Sequence, residues 1–187
     1  MAFRQYLFMS GGTQTGWLMR KEINLETMTK LHHYMATISW TGNQGKGTFD
    51  YTGYARDHDI SIEGKPTIGG SSDPGFRGDK SKYTPEDLLV SSLSGCHMLW
   101  YLHLCSVNGV VVIDYVDHAV GLMEENNDGS GHFIEVILNP QVIVAEDTMV
   151  KKANSLHLDA NKMCFIARSV KFPVHHIPKV ISYHEKA

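Results

Sequence analysis

The sequence predicts an α+β fold on three observations. Two apolar stretches with helical signposts, one opening at Thr84 and one near Asp147, are separated by segments rich in β-branched and aromatic residues. The β-rich segments follow one another across turn-forming clusters, as hairpins do, instead of alternating singly with helices as in a doubly wound sheet. No internal repeat or low-complexity tract interrupts that order. At 187 residues the chain suits one domain with a substantial core, or two small lobes sharing one.

Residues 1–34 carry Gly11-Gly12, scattered charge and no sustained periodicity, and read as a mobile N-terminal extension before a domain spanning residues 35–187. Met28 and Met35 are alternative starts. A strand is expected over residues 35–39, a turn at Gly42-Asn43-Gln44-Gly45 and a second strand over residues 48–52. A polar connection over residues 54–59 leads into a strand at Ile60-Ser61-Ile62. Residues 64–82, rich in Gly, Ser, Pro and charge, read as a long surface loop of the kind that often lines sites.

The first helix is well marked. Thr84 is its N-cap, Pro85 its first residue, Glu86 and Asp87 its acidic first turn, and Asn108-Gly109 its stop, with Asp87 at the capping-box spacing. Residues 110–123 and 132–145 then read as a long hairpin about the turn Asn126-Asn127-Asp128-Gly129-Ser130-Gly131. Asp147 is expected to cap a helix over residues 148–159 and Asn161 a second over residues 162–169, which Phe172-Pro173 ends. Residues 180–183 close the fold as a strand.

A net charge of −3 gives no basic footprint for phosphates, which argues against nucleic acid as a partner. Three cysteines are too few for a secreted disulfide framework, so a reducing cytoplasm is the expected compartment. No stretch approaches about eighteen uninterrupted apolar residues, so no membrane association is expected. Residues 3–9 are too short, and broken by Arg4 and Gln5, to read as a signal peptide.

The chemistry centres on Cys96. At 100° per residue, Glu86, Leu89, Leu93, Cys96, Trp100 and His103 share one face of the first helix. Small and polar Ser91, Ser92, Ser94 and Gly95 precede the cysteine, and bulky Met98, Leu99 and Trp100 follow it. Such a step in size creates a pocket or breaks the helix. Were a fresh helix to start at Gly95, its N-terminal dipole would acidify the Cys96 thiol. His97 diverges from Cys96 by about 100° and is expected to make a structural hydrogen bond. Glu86 lies ten residues before Cys96, about 15 Å along a straight helix, so a role there demands a break between Ser91 and Gly95. Without one, Glu86 only complements the helix dipole.

Cys105 falls on the opposite side of this helix and reads as a packed small hydrophobe. Cys164, with Lys162, Arg168 and Asn161 around it, is expected near a helix start. Two thiols so placed suggest a reactive and a resolving cysteine, although both could equally be core residues. Neighbouring histidines in His32-His33 and His175-His176 project to opposite faces of an extended chain, so neither pair chelates and no metal site is expected.

The motifs Tyr83-Thr84-Pro85-Glu86-Asp87-Leu88-Leu89, Ser94-Gly95-Cys96-His97-Met98 and Lys162-Met163-Cys164-Phe165-Ile166-Ala167-Arg168-Ser169-Val170 together resemble the OsmC/Ohr family of thiol-dependent peroxidases, most nearly its OsmC-like branch. The resemblance runs from about Ala36 to His184 and includes Tyr54-Ala55-Arg56-Asp57-His58. It implies antiparallel sheets wrapped around long central helices in an intertwined homodimer, with two sites at the subunit interface built from both chains.

It further implies that Cys96 attacks the peroxide and becomes a sulfenic acid, which Cys164 converts to a disulfide. Glu86 and Arg56 would poise thiolate and peroxide, with Arg77 a nearby alternative to Arg56. Leu93, Met98, Leu99 and Trp100 would receive an alkyl tail. Organic hydroperoxides are the expected substrates, with hydrogen peroxide a further candidate. An external dithiol or small thiol would be the reductant, and no cofactor is called for. The rival reading is a non-catalytic small-molecule-binding or redox-sensing protein of the same fold.

Overall fold

The computed structural model describes residues 30–186, so most of the extension expected over residues 1–34 lies outside the described residues. Every element belongs to the unit Met35–Ala187. Strands β1 (Thr37–Trp40), β2 (His58–Ser61) and β3 (Ile68–Gly70) form an antiparallel sheet in that order. Helix α1 (Pro85–Val107) leads to β4 (Val112–Asp117), β5 (Val120–Glu125), β6 (Gly131–Leu138) and β7 (Pro140–Val144). Helix α2 (Asp147–Met163) then precedes β8 (Val174–His176) and β9 (Lys179–Ser182). The result is α+β, with two long helices and three small sheets.

The long hairpin forms, but it is split across two sheets. β5 pairs antiparallel with β6, and β4 with β7. β8 adds parallel to β6 and β9 parallel to β7, so these two sheets are mixed instead of purely antiparallel. At the split, Asp117 accepts the Asn139 N–H at 2.7 Å and the Ser94 hydroxyl at 2.5 Å, which ties α1 to the hairpin two residues before Cys96.

Three sequence expectations fail here for physical reasons. Residues 48–52 are turns and not a strand, because the Asp50 carboxylate takes the Thr52 N–H at 2.7 Å and hydroxyl at 2.6 Å, a local bond that competes with a ladder. The partner strands come instead from β2 and from β3, inside the expected loop. Helix α2 does not restart at Asn161. Its buried face, Ala153, Leu156, His157 and Ala160, extends to Cys164, so packing carries the helix past the sequence signals that would end it. Only a single 3-10 turn, Ala167–Ser169, follows. Glu146, and not Asp147, occupies the N-cap position.

The third failure concerns α1, which runs unbroken through Gly95. Its ends are those expected. Thr84 Oγ1 accepts the Asp87 N–H at 3.1 Å while Asp87 Oδ2 accepts the Thr84 N–H at 3.0 Å. At the other end Gly109, at φ +71°, lets the Val110 N–H return to the Cys105 carbonyl at 2.9 Å. Between them Leu93, His97, Tyr101 and Cys105 recur every fourth residue and are all buried. An interior glycine costs roughly 1 kcal/mol, whereas each large apolar side chain buried contributes about 1.5–3 kcal/mol, so the core decides for continuity.

By length and composition α1 could cross a membrane. In this fold Tyr101 and Cys105 of its buried stripe pack with α2, Leu93 packs against β6, and Ser94 ties it to the hairpin.

Candidate thiol site

Cys96, half-buried on α1, and Cys164, 1% exposed at the end of α2, stand within hydrogen-bond reach of one another. The fold thus joins thiols 68 positions apart in sequence. Neither cysteine lies in the first turn of a helix. Cys96 is mid-helix, and Cys164 caps the C-terminus of α2, its N–H bonded to the Ala160 and Asn161 carbonyls at 3.0 and 3.4 Å. The helix-start placement expected for both is therefore not found.

Burial, then the hydrogen bond to Cys96, push the Cys164 thiol up to about 11, against the Ala167 N–H that donates to its sulfur at 3.4 Å. Cys164 is accordingly protonated at neutral pH. Of the neighbouring cations, Lys162 pairs with Asp159 at 3.0 Å and Arg168 reaches the Lys162 carbonyl at 3.5 Å.

A buried imidazole cluster joins the same two helices. His97 Nε2 and His157 Nδ1 share a hydrogen bond of 3.0 Å, the structural bond expected for His97. His157 stacks on Tyr101 with ring centroids 3.8 Å apart, and the His176 ring lies 5.6 Å from that of His97. Burial and neighbouring imidazoles hold His97 down at about 4 and His157 at about 3. Among the described residues no group of three His, Cys, Asp or Glu is arranged to hold a metal ion. His157 and His176 escaped the sequence reading because only the packing of α2 and β8 on α1 brings them to His97. Cys105 is buried as expected, but it shares the buried stripe of Tyr101.

The apolar wall is rearranged. Leu93 is fully buried and packs in the core with Val136 and Leu138. Met98 is half-buried. Leu99 and Trp100, with His103, line a shallow recess open to solvent. Trp100 also meets Phe165 edge-on at 5.7 Å. Phe165, 68% exposed and adjacent to Cys164, is a wall residue the sequence reading missed.

The two charged residues are not brought to the thiols within one chain. With α1 unbroken, Glu86 stays about 15 Å along the helix from Cys96. Arg56 donates to the Tyr54 and Tyr51 carbonyls at 2.5 and 2.8 Å, and its guanidinium lies 4.1 and 4.5 Å from their ring centroids. Arg77 lies 5.9 Å from the Tyr51 ring. Among the described residues neither arginine pairs with Glu86 or bonds to a thiol. Arg56 is nonetheless held in place: His58 Nδ1 meets its carbonyl at 3.1 Å, and Asp57 takes Lys82 Nζ at 2.6 Å and the Ser71 hydroxyl at 3.0 Å.

Two thiols held on two long helices, in a chain of small sheets, define an α+β dithiol protein. The chain belongs to the OsmC-like protein family, whose model matches residues 78–178. It is similar to an OsmC-like protein of unknown function from Vibrio cholerae at 27% identity and TM-score 0.71, over 81% of this chain and 100% of that one. An organic hydroperoxide resistance protein from Elizabethkingia anophelis shares the fold at 14% identity and TM-score 0.60, over 83% of this chain and 99% of that one. One from Legionella pneumophila does so at 13% and 0.59, over 81% and 98%. No protein of curated function matches this sequence.

Proposed function

We propose that the protein is a cytoplasmic thiol-dependent peroxidase that reduces organic hydroperoxides. The observation that carries the reading is the contact of a half-buried Cys96 with a buried, protonated Cys164. The Cys96 thiolate attacks the outer peroxide oxygen, the O–O bond breaks, and the alkoxide leaves as alcohol after taking a proton. The sulfenic acid on Cys96 is then attacked by Cys164 sulfur, an S–S bond forms, and the S–O bond breaks with loss of water. An external dithiol or small thiol reduces the disulfide. The resistance proteins of the same fold support this substrate class.

The test is a count of free thiols before and after one equivalent of cumene hydroperoxide. Wild type should lose two thiols, mapped to Cys96 and Cys164, whereas Cys164→Ser should lose one and become reactive toward dimedone. Retention of all thiols in wild type overturns the reading and favours the binding or redox-sensing alternative.

The working unit proposed is a homodimer. Leu99 and Val107 on α1, Ile113 and Val116 on β4, and Val120 and Leu122 on β5 are each 44–65% exposed, an apolar surface a second copy would cover. In such a dimer Glu86 and Arg56 would serve the partner subunit's thiols instead of those of their own chain. Sedimentation at micromolar concentration should give twice the chain mass. A monomer there would remove Glu86 from the mechanism.

A further inference from the structure

We infer that His97 and His157 are positioning residues for disulfide formation, a hydrogen-bonded strut that sets the spacing of the two cysteine-bearing helices. This rests on the proposed dithiol chemistry and goes beyond it by assigning two residues to the resolving step.

His97 is the residue after Cys96 on α1, and His157 lies seven residues, two helical turns, before Cys164 on one face of α2. Their 3.0 Å bond is a side-chain hydrogen bond between the two helices that carry the thiols. Both rings are fully buried, and both are braced: His157 lies on Tyr101, and His176 from β8 faces the pair. A rigid neutral pair in that place fixes the approach of α2 to α1, and so the distance between the sulfurs.

The imidazoles are poor proton acceptors, since burial keeps them neutral to about 4 and about 3. Their contribution to resolution is therefore geometric. In the step they support, Cys164 sulfur attacks the Cys96 sulfenic sulfur, the S–O bond breaks, and the departing hydroxide leaves with the Cys164 proton as water. A misplacement of about 1 Å in such a reaction costs on the order of a hundredfold.

The experiment compares His157→Phe, which keeps a ring on Tyr101 but loses the bond, with His157→Gln, which keeps a hydrogen-bonding amide. His97→Gln makes the same exchange from α1, so the outcome does not rest on one variant folding. The readouts are the rate of sulfenate formation with cumene hydroperoxide and the lifetime of the sulfenate before disulfide closure. A tenfold to hundredfold longer lifetime in His157→Phe is expected, with the first step unchanged and the lifetime restored toward wild type in either glutamine variant. Equal lifetimes in all four proteins, or equal slowing of both steps, overturn the inference.

Diamide, which oxidises dithiols without peroxide, supplies a second arm. Slow diamide closure in His157→Phe alone sustains the strut even if cumene hydroperoxide leaves Cys96 untouched, an outcome that sinks only the peroxidase reading.

Discussion

Cys96→Ser is expected to lower cumene hydroperoxide consumption on the order of 10³-fold or more, because a serine hydroxyl is scarcely ionised at neutral pH and removing a nucleophile removes the whole covalent route. Cys164→Ser should behave differently. Its first turnover should keep the wild-type rate, since Cys164 enters only after the O–O bond has broken, and later turnovers should stall on a lingering sulfenate. Excess peroxide should then carry that sulfenate to the sulfinic acid, which thiols do not reverse. Cys105→Ser should leave both steps intact, as Cys105 packs along the Tyr101 stripe and takes no part in the thiol contact. Single-turnover mixing followed by intact-mass measurement separates the three variants. Equal first-turnover rates in wild type and Cys96→Ser would remove Cys96 from the chemistry.

The second large effect is acid lability. An imidazole ordinarily titrates near 6.5, but burial holds His97 at about 4 and His157 at about 3 in the folded chain. Between pH 6.5 and these values the unfolded chain binds protons that the folded chain refuses. Folding stability should therefore fall as pH drops below 6.5 and stop falling on this account below about 3. For His97 alone the shift corresponds to roughly 3 kcal/mol, a large part of a domain's stability.

His157→Phe should lose stability at pH 7, where His97 Nε2 is left without its partner, and should show a shallower decline between pH 6.5 and 4. Denaturant titrations across pH 4–7.5 measure both slopes. A wild-type stability flat across that window would mean the buried pair is accommodated in its charged form.

Part of this was readable from local chemistry alone. The two ends of α1 depend on short-range groups, the Thr84–Asp87 capping box and the positive φ of Gly109, and the sequence states both. The hairpin was legible from its turn residues, though its split between two sheets depends on Asp117 meeting Ser94 and Asn139, contacts with partners 22 and 23 positions away. The interior of α1 differs from the local expectation at Gly95 for the same reason. Local propensity permits a break there, and only the buried stripe of Leu93, His97, Tyr101 and Cys105 outweighs it. Cys164 likewise reads locally as a helix start, whereas packing makes it a helix end.

By itself the sequence determined the α+β class, the caps, the family resemblance and the two thiols as the residues of interest, because these rest on residue type, spacing and short-range hydrogen bonds. Tertiary structure alone decided that Cys96 meets Cys164, that His157 meets His97, that Leu93 is core, and that Glu86 stands apart from the thiols of its own chain. Those outcomes turn on which faces of α1 and α2 are buried against each other. Burial is a property of the assembled core, to which residues far apart in the chain contribute at once, and no local window of sequence contains it.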